Sequence, residues 1–287
     1  LAAVAGEWLG KQGWTSNYRD KVEGRLRRHI LPLLGSRRID RITPPELLQA
    51  LQRIEKAGTI ETARRCKQHV NRIYKYAIAS GLAQINPADG LEEAMISKPR
   101  PKHYAAITDP KELGGALRAI YGMEKVNPQV LGALKLLPLL MLRPGELVSM
   151  EWSEWKQEDN LCELPADKMK MGMPHLVPLP HQAREILDEL KPWAGDSKYV
   201  FPGARTPDRH LTVESLTAAL RRLGYSGEIV TAHGFRATAR TLLDEQLKYR
   251  VEVIELQLAH AVRDPNGRAY NRTTHLEERR EMMQAWA

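Results

Sequence analysis

A run of prolines and cations between residues 86 and 107, from Asn86-Pro87 through Ser97-Lys98-Pro99-Arg100-Pro101-Lys102, interrupts every helical pattern and divides the chain into two differently patterned parts. Proline lacks an N–H and disfavours helix at the residue before it, so the stretch reads as a linker. With 287 residues and 43% hydrophobic content, the chain has apolar material for one substantial core and one smaller one. The expected organisation is a helical domain at 1–85, a linker at 86–107 and a second domain at 108–287.

The formal net charge is +8, and all of it lies in the first third: residues 1–100 hold 18 Lys and Arg against 10 Asp and Glu, and the remainder balances at 25 against 25. Cations lined along phosphates gain affinity by releasing counterions, so this placement suits a first domain that grips nucleic acid. An acidic protein partner or a solvated face would leave a similar signature. Cys66 and Cys162 stand far apart and without ligand spacing, which points away from a disulfide framework or a zinc site and towards a reducing cytosol. The longest apolar run, Leu131 to Leu142, is too short to span a membrane and contains Lys135, so it reads as a core helix. A chain that starts at Leu1 without methionine is expected to be part of a longer protein.

Helical spacing predicts Ala2–Gly10, Asn17–Leu34, a helix opened by Thr43-Pro-Pro-Glu46 and closed by Gly58, and a fourth from about Glu61 to Ser80. The fourth places Cys66, Val70, Ile73, Tyr74 and Ala77 on one face. Arg64, Arg65, Lys67, Gln68, Asn71, Arg72 and Lys75 fall on the other. That polar face suits a DNA groove, with Arg and amides at base edges and Lys at phosphates; the alternative is a solvated face. Further on, a helix starts at Asp109-Pro110, and strands are expected at Cys162–Pro165 and His175–Pro180, with Tyr199–Phe201 as a third. Helices follow at Gln129–Leu142, Pro144–Met150, Gln182–Leu190, Val213–Leu223, His233–Glu245, Val251–Leu258 and Gly267–Ala285. The fold class is mainly α with a small antiparallel β-sheet.

Six residues of the second domain supply the parts of a phosphodiester transesterification: Arg143, Lys170, His233, Arg236, His260 and Tyr270. Two guanidiniums make bidentate, permanently charged contacts to phosphate. Arg143 precedes Pro144-Gly-Glu146 at a helix boundary, and His233-Gly-Phe-Arg236 puts a His and an Arg on one helix face. Lys170, in the turn Lys168-Met-Lys-Met171, has a stem long enough to deliver a proton, with Lys168 as its rival. His260 ends Leu256-Gln-Leu-Ala-His260, and Tyr270, between Arg268 and Arg272, offers a phenol to a phosphate. Each motif alone reads as an ordinary surface or packing feature. The motifs of serine hydrolases, zinc proteases and phosphate loops are missing from the sequence.

Taken in order, these residues resemble the catalytic set of the tyrosine recombinase, or phage integrase, family. Leu142-Arg-Pro-Gly-Glu-Leu147, Met169-Lys-Met171 with Pro174-His-Leu-Val-Pro-Leu179, Thr231 to Thr241, Gln257-Leu-Ala-His-Ala261, Tyr270-Asn-Arg272 and Glu277-Glu-Arg-Arg280 resemble the integrases of prophages and genomic islands similar to that of phage P4. The resemblance implies a helical core-binding domain plus a mixed α/β catalytic domain that clamp double-stranded DNA at attachment core sites. Tyr270 would attack the scissile phosphate to give a 3′-phosphotyrosyl link. Arg143 and Arg236 would hold its oxygens, Lys170 would protonate the leaving oxygen, and His233 and His260 would assist proton transfer, with Glu146 buttressing Arg143. It further implies no cofactor and no metal, a homotetramer on synapsed DNA, accessory DNA-bending or excision factors, and a cytoplasmic, nucleoid-associated protein without membrane contact. Integrases of this subgroup carry a further N-terminal domain that these residues do not supply. The alternatives are a type IB topoisomerase-like enzyme and a non-catalytic DNA-binding regulator.

Overall fold

The computed structural model describes residues 1–97, 104–260 and 275–287, and the chain divides into two units, Leu1–Pro101 and Lys102–Ala287, each with its own core. In the first unit, helices α1 (Ala2–Gly10), α2 (Ser16–His29), α3 (Leu31–Leu34), α4 (Pro44–Lys56) and α5 (Ile60–Ala79) surround a core built on Leu26, Ile30, Leu47, Leu51, Ile73 and Tyr74. The single helix expected over Asn17–Leu34 breaks at Ile30, because Pro32 cannot donate into a continuing ladder. The capping box at Thr43 forms as its spacing predicts: the Thr43 N–H donates to Glu46 Oε2 at 2.9 Å, an arrangement worth about 1 kcal/mol.

Residues 86–97, expected to begin a linker, fold onto the first unit instead. Ala88, Leu91 and Met95 are buried in its core, and a short 3-10 turn spans Leu91–Ala94. Asn86 organises the turn, donating from Nδ2 to Asn71 Oδ1 and Asp89 Oδ1 while its own Oδ1 accepts the Ala88 N–H. Its prolines mark turns in packed chain.

The second unit is built around α7 (Pro128–Leu140), which is buried on nearly every side. Asn127 caps it by accepting the Gln129 and Val130 N–H groups. Against it pack α6 (Pro110–Tyr121), α9 (His181–Ala194), α10 (Val213–Arg222), α11 (Gly234–Glu245) and α13 (Leu276–Trp286), with α8 (Pro144–Val148) following it directly and α12 (Val251–Gln257) lying between α11 and α13. A three-stranded antiparallel sheet in the order β1 (Trp155–Lys156), β2 (Leu161–Leu164), β3 (His175–Pro178) pairs Cys162 with Val177 and Leu164 with His175.

The third strand of that sheet is therefore Trp155–Lys156, not Tyr199–Phe201. Val200 and Phe201 are fully buried, which gave their segment a strand-like pattern. Its bonds are isolated ones, Val200 N–H to Met150 O at 2.9 Å and a bridge between Tyr199 and Glu151. The chain then forms a separate two-stranded ribbon from β4 (Pro202–Gly203) and β5 (Thr206–His210). No helix among the described residues is long and apolar enough to cross a membrane.

Candidate active site

At the end of α7, Met141 adopts a left-handed conformation (φ 56°) that turns the chain so that Leu142 enters the core and Arg143 stands at the start of α8. Glu146, itself buried, accepts the Arg143 backbone N–H at 3.0 Å and the guanidinium NH1 at 2.7 Å. One carboxylate thus fixes both ends of the arginine. The other guanidinium nitrogen, NH2, reaches Ala259 O at 3.4 Å.

Arg236 lies one turn into α11 and is buried. Its guanidinium donates to Met141 O, to Leu258 O at 2.6 Å and to His260 Nε2 at 3.1 Å. Among the described residues no carboxylate bonds to it directly. Burial first, and the neighbouring Arg143 second, pull its pKa down to about 10, while Glu146 and Glu255 draw it up, so it stays charged at neutral pH. The two arginines, 93 positions apart, meet at Leu258–His260.

That meeting point is a helix end of defined geometry. Ala259 takes a left-handed φ of 48° after α12, the His260 N–H returns to Glu255 O at 2.9 Å, and the Ala259 N–H returns to Leu256 O at 3.1 Å. This is a Schellman turn with alanine where glycine is usual. It aims the His260 ring back at α12, where Nδ1 donates to Glu255 Oε2 at 2.6 Å. With Arg236 donating to Nε2, both ring nitrogens have fixed roles: Nδ1 carries the hydrogen and Nε2 accepts.

His233 is the residue before α11 and is half-buried. Burial lowers its pKa, as do Arg236, Arg143, His260 and Lys170 in that order, so Lys170 is near enough for its charge to be felt. Lys170 itself is exposed in the β2–β3 turn and takes no hydrogen-bond or ion-pair partner among the described residues. Its rival is committed elsewhere. Lys168 Nζ bonds Glu154 Oε1 at 2.6 Å, Glu151 Oε1 at 3.2 Å and Ser149 O at 2.9 Å, anchoring the base of the turn that carries Lys170. Tyr270, with Arg268 and Arg272, lies outside the described residues, as does the first part of the helix expected over Gly267–Ala285.

Three supporting residues carry no site role in the sequence reading, although Gln257 and Arg279 stand inside the stretches Gln257-Leu-Ala-His-Ala261 and Glu277-Glu-Arg-Arg280. Glu255, bonded also to Arg240 Nε at 3.2 Å, orients His260. Gln257 donates to Leu140 O at 3.3 Å, under the Met141 turn, and its Oε1 accepts from Arg279 NH2 at 2.7 Å. Arg279, buried on α13, also reaches Leu176 O, and burial lowers its pKa to about 10. The available signal was the place of Gln257 and Arg279 in those two stretches; Glu255, on α12 ahead of the first, carried none. Among the described residues no cluster of three or more His, Cys, Asp or Glu is arranged to hold a metal ion.

In the first unit, the inner face of α5 is as its spacing predicts, with Cys66, Val70, Ile73, Tyr74 and Ala77 all buried. Its polar face is divided. Arg64 donates to Ile96 O at 2.8 Å, Lys67 pairs with Glu92, and Asn71 accepts from Asn86, so these three hold residues 86–97 in place. Arg65, Gln68, Arg72 and Lys75 are exposed. Arg65 pairs with Glu61 at 2.9 Å, and the Arg72 guanidinium lies over the Trp14 ring at 5.3 Å. His69 is buried on the same helix beside Arg25, and burial with that cation lowers its pKa to about 4.

Residues 1–94 match the family model described as "Phage integrase central domain", and residues 119–275 match "Phage integrase family". The chain belongs to the phage integrase family, and its second unit is a tyrosine recombinase catalytic domain. It is 36% identical over 286 residues to prophage integrase IntZ of Escherichia coli (strain K12), covering 99% of this chain and 69% of that protein. It is 32% identical over 302 residues to the integrase of Enterobacteria phage P4, covering 99% and 68%. Its fold is like that of lambda integrase in a dimer bound to a COC′ core site: TM-score 0.70, 18% identity, 91% of this chain and 95% of that one. A lambda integrase tetramer bound to a Holliday junction matches with TM-score 0.69 and 16% identity over 94% and 80%.

Proposed function

We propose that this integrase cuts and rejoins DNA strands at specific core sites through a covalent phosphotyrosine, and that Arg143, Lys170, His233, Arg236, His260 and Tyr270 carry the chemistry. The observation that carries the reading is the buried Arg236 guanidinium, held on neutral acceptors beside a second guanidinium. A buried cation with no carboxylate bonded to it is costly to a fold, and its use is to receive an anion.

In the proposed step the Tyr270 oxygen bonds to the scissile phosphorus and the bond to the 5′ oxygen breaks. Arg143 and Arg236 take the charge that develops on the non-bridging oxygens. Lys170 gives its proton to the departing 5′ oxygen. His233, kept neutral at pH 7 by burial and its cationic neighbours, accepts the phenolic proton. As phosphate oxygens take over Arg236, His260 Nε2 loses that donor, takes a proton from solvent and, with Nδ1–H still on Glu255, donates to the phosphorane, while Glu146 holds Arg143 in register. Rejoining is the reverse, with a 5′ hydroxyl displacing Tyr270. The ester conserves the bond energy, so no nucleotide is consumed.

The exposed Arg65, Gln68, Arg72 and Lys75 meet DNA from α5, and the working assembly is a tetramer on two duplexes, by analogy with the lambda integrase structures. The test is a nicked core-site duplex that traps the intermediate. A protein–DNA adduct on a denaturing gel, lost in Tyr270→Phe and Arg236→Ala, supports the reading; reversible binding without an adduct refutes it.

A further inference from the structure

The chain just before the second unit's first helix is part of this site. The Tyr104 ring lies against the His233 imidazole, with centroids 4.5 Å apart and planes tilted by 50°. The next residue fixes that placement: Ala105 O accepts the Thr231 N–H at 3.2 Å. A Cβ on Gly234 would overlap the same carbonyl oxygen, so the glycine of His233-Gly-Phe-Arg236 is required for residues 104–105 to lie against the motif. Ile107, buried in the core, holds the other end of the segment.

Tyr104 is 63% exposed, so core burial does not account for its position. What its ring touches is the half-buried imidazole, which lies close enough to Arg236, Arg143, His260 and Lys170 for their charges to act on it. A partly exposed histidine has several χ1 wells open to it, and an aromatic neighbour favours one of them by roughly two- to tenfold.

We propose that Tyr104 is a positioning residue for strand cleavage, its ring holding the His233 imidazole beside the arginine pair. The inference rests on the role given above to His233. It makes the C-terminal end of the Pro-rich stretch a working part of the catalytic unit.

The test uses the full chain with labelled histidine, the His233 ring signals being those lost in His233→Gln. An aromatic ring in this position displaces them by its ring current. Tyr104→Ala is expected to move them and to slow adduct formation on the nicked core site roughly fivefold, with DNA affinity unchanged. Tyr104→Phe is expected to restore both. Unmoved His233 signals in Tyr104→Ala overturn the inference whatever the enzyme does, and so do moved signals with an undiminished cleavage rate. Failure of the wild-type protein to form any adduct removes the proposed function itself, a result that the spectra of a folded protein would not produce.

Discussion

Arg236 and His260, 24 positions apart, share a 3.1 Å hydrogen bond in which the guanidinium donates to Nε2. The bond leaves Nδ1 as the donor, and Glu255 Oε2 accepts from it at 2.6 Å. A carboxylate, an imidazole and a buried guanidinium are thereby joined in one hydrogen-bonded chain, with a Schellman turn placing the imidazole between the other two.

Glu255→Ala removes the acceptor that holds this tautomer. Adduct formation is expected to fall by about ten- to a hundredfold, with Glu255→Gln, which keeps an acceptor, closer to wild type. Single-turnover cleavage measures it, and equal loss in both variants would mean that the orientation of His260 is not what Glu255 supplies.

The two lysines of the β2–β3 turn are expected to separate by leaving group. Lys170→Ala blocks cleavage of ordinary DNA, while a sulfur in place of the 5′ bridging oxygen leaves readily without a proton and restores the rate. Lys168→Met breaks the contacts to Glu151 and Glu154 and loosens the turn, so its defect persists with sulfur. Cleavage rates on both substrates measure the difference; rescue of Lys168→Met and not of Lys170→Ala would reverse the assignment.

Much of this was readable from residue spacing. The buried face of α5 follows from helical period, and His233-x-x-Arg236 announces a pair on one helix. Glu255 was not readable, because its meeting with His260 depends on a left-handed alanine that no local rule anticipates. The Pro-rich stretch misled at 86–97 because proline marks turns as well as linkers, and the Asn86 bonds that pack this turn form only in the folded unit. Lys168 and Lys170 are equivalent in sequence; the glutamates that claim Lys168 come from the turn before β1.

Ala259→Gly is expected to stabilise the second unit. A left-handed alanine costs roughly 1–2 kcal/mol, and glycine returns about 0.5–1 kcal/mol of that as unfolded-state entropy, leaving a gain of about 0.5–1 kcal/mol. Urea unfolding measures it, and a lower midpoint would show that the methyl group's contacts outweigh the backbone strain.

Stability is expected to fall with acid through His175. Burial, and then Arg279, hold its pKa at about 3, and its Nε2–H donates to Gln257 O at 3.0 Å. A folded pKa below the unfolded value near 6.5 means that the unfolded chain takes up the proton first, so the contribution is complete above pH 6.5 and is withdrawn as pH falls towards 3. By pH 4 the loss reaches roughly 3 kcal/mol. Thermal melts from pH 7 to pH 4 should show a shallower decline in His175→Gln; an unchanged slope would place the acid sensitivity elsewhere.

The most direct test of the central claim is to find the atom that holds the DNA. The adduct trapped on a nicked core site is digested with protease and nuclease, and the modified peptide is sequenced by mass spectrometry. The account predicts a 3′-phosphonucleotide on the oxygen of Tyr270; a nucleotide on any other residue, or a core site cut with no peptide attached, would contradict it.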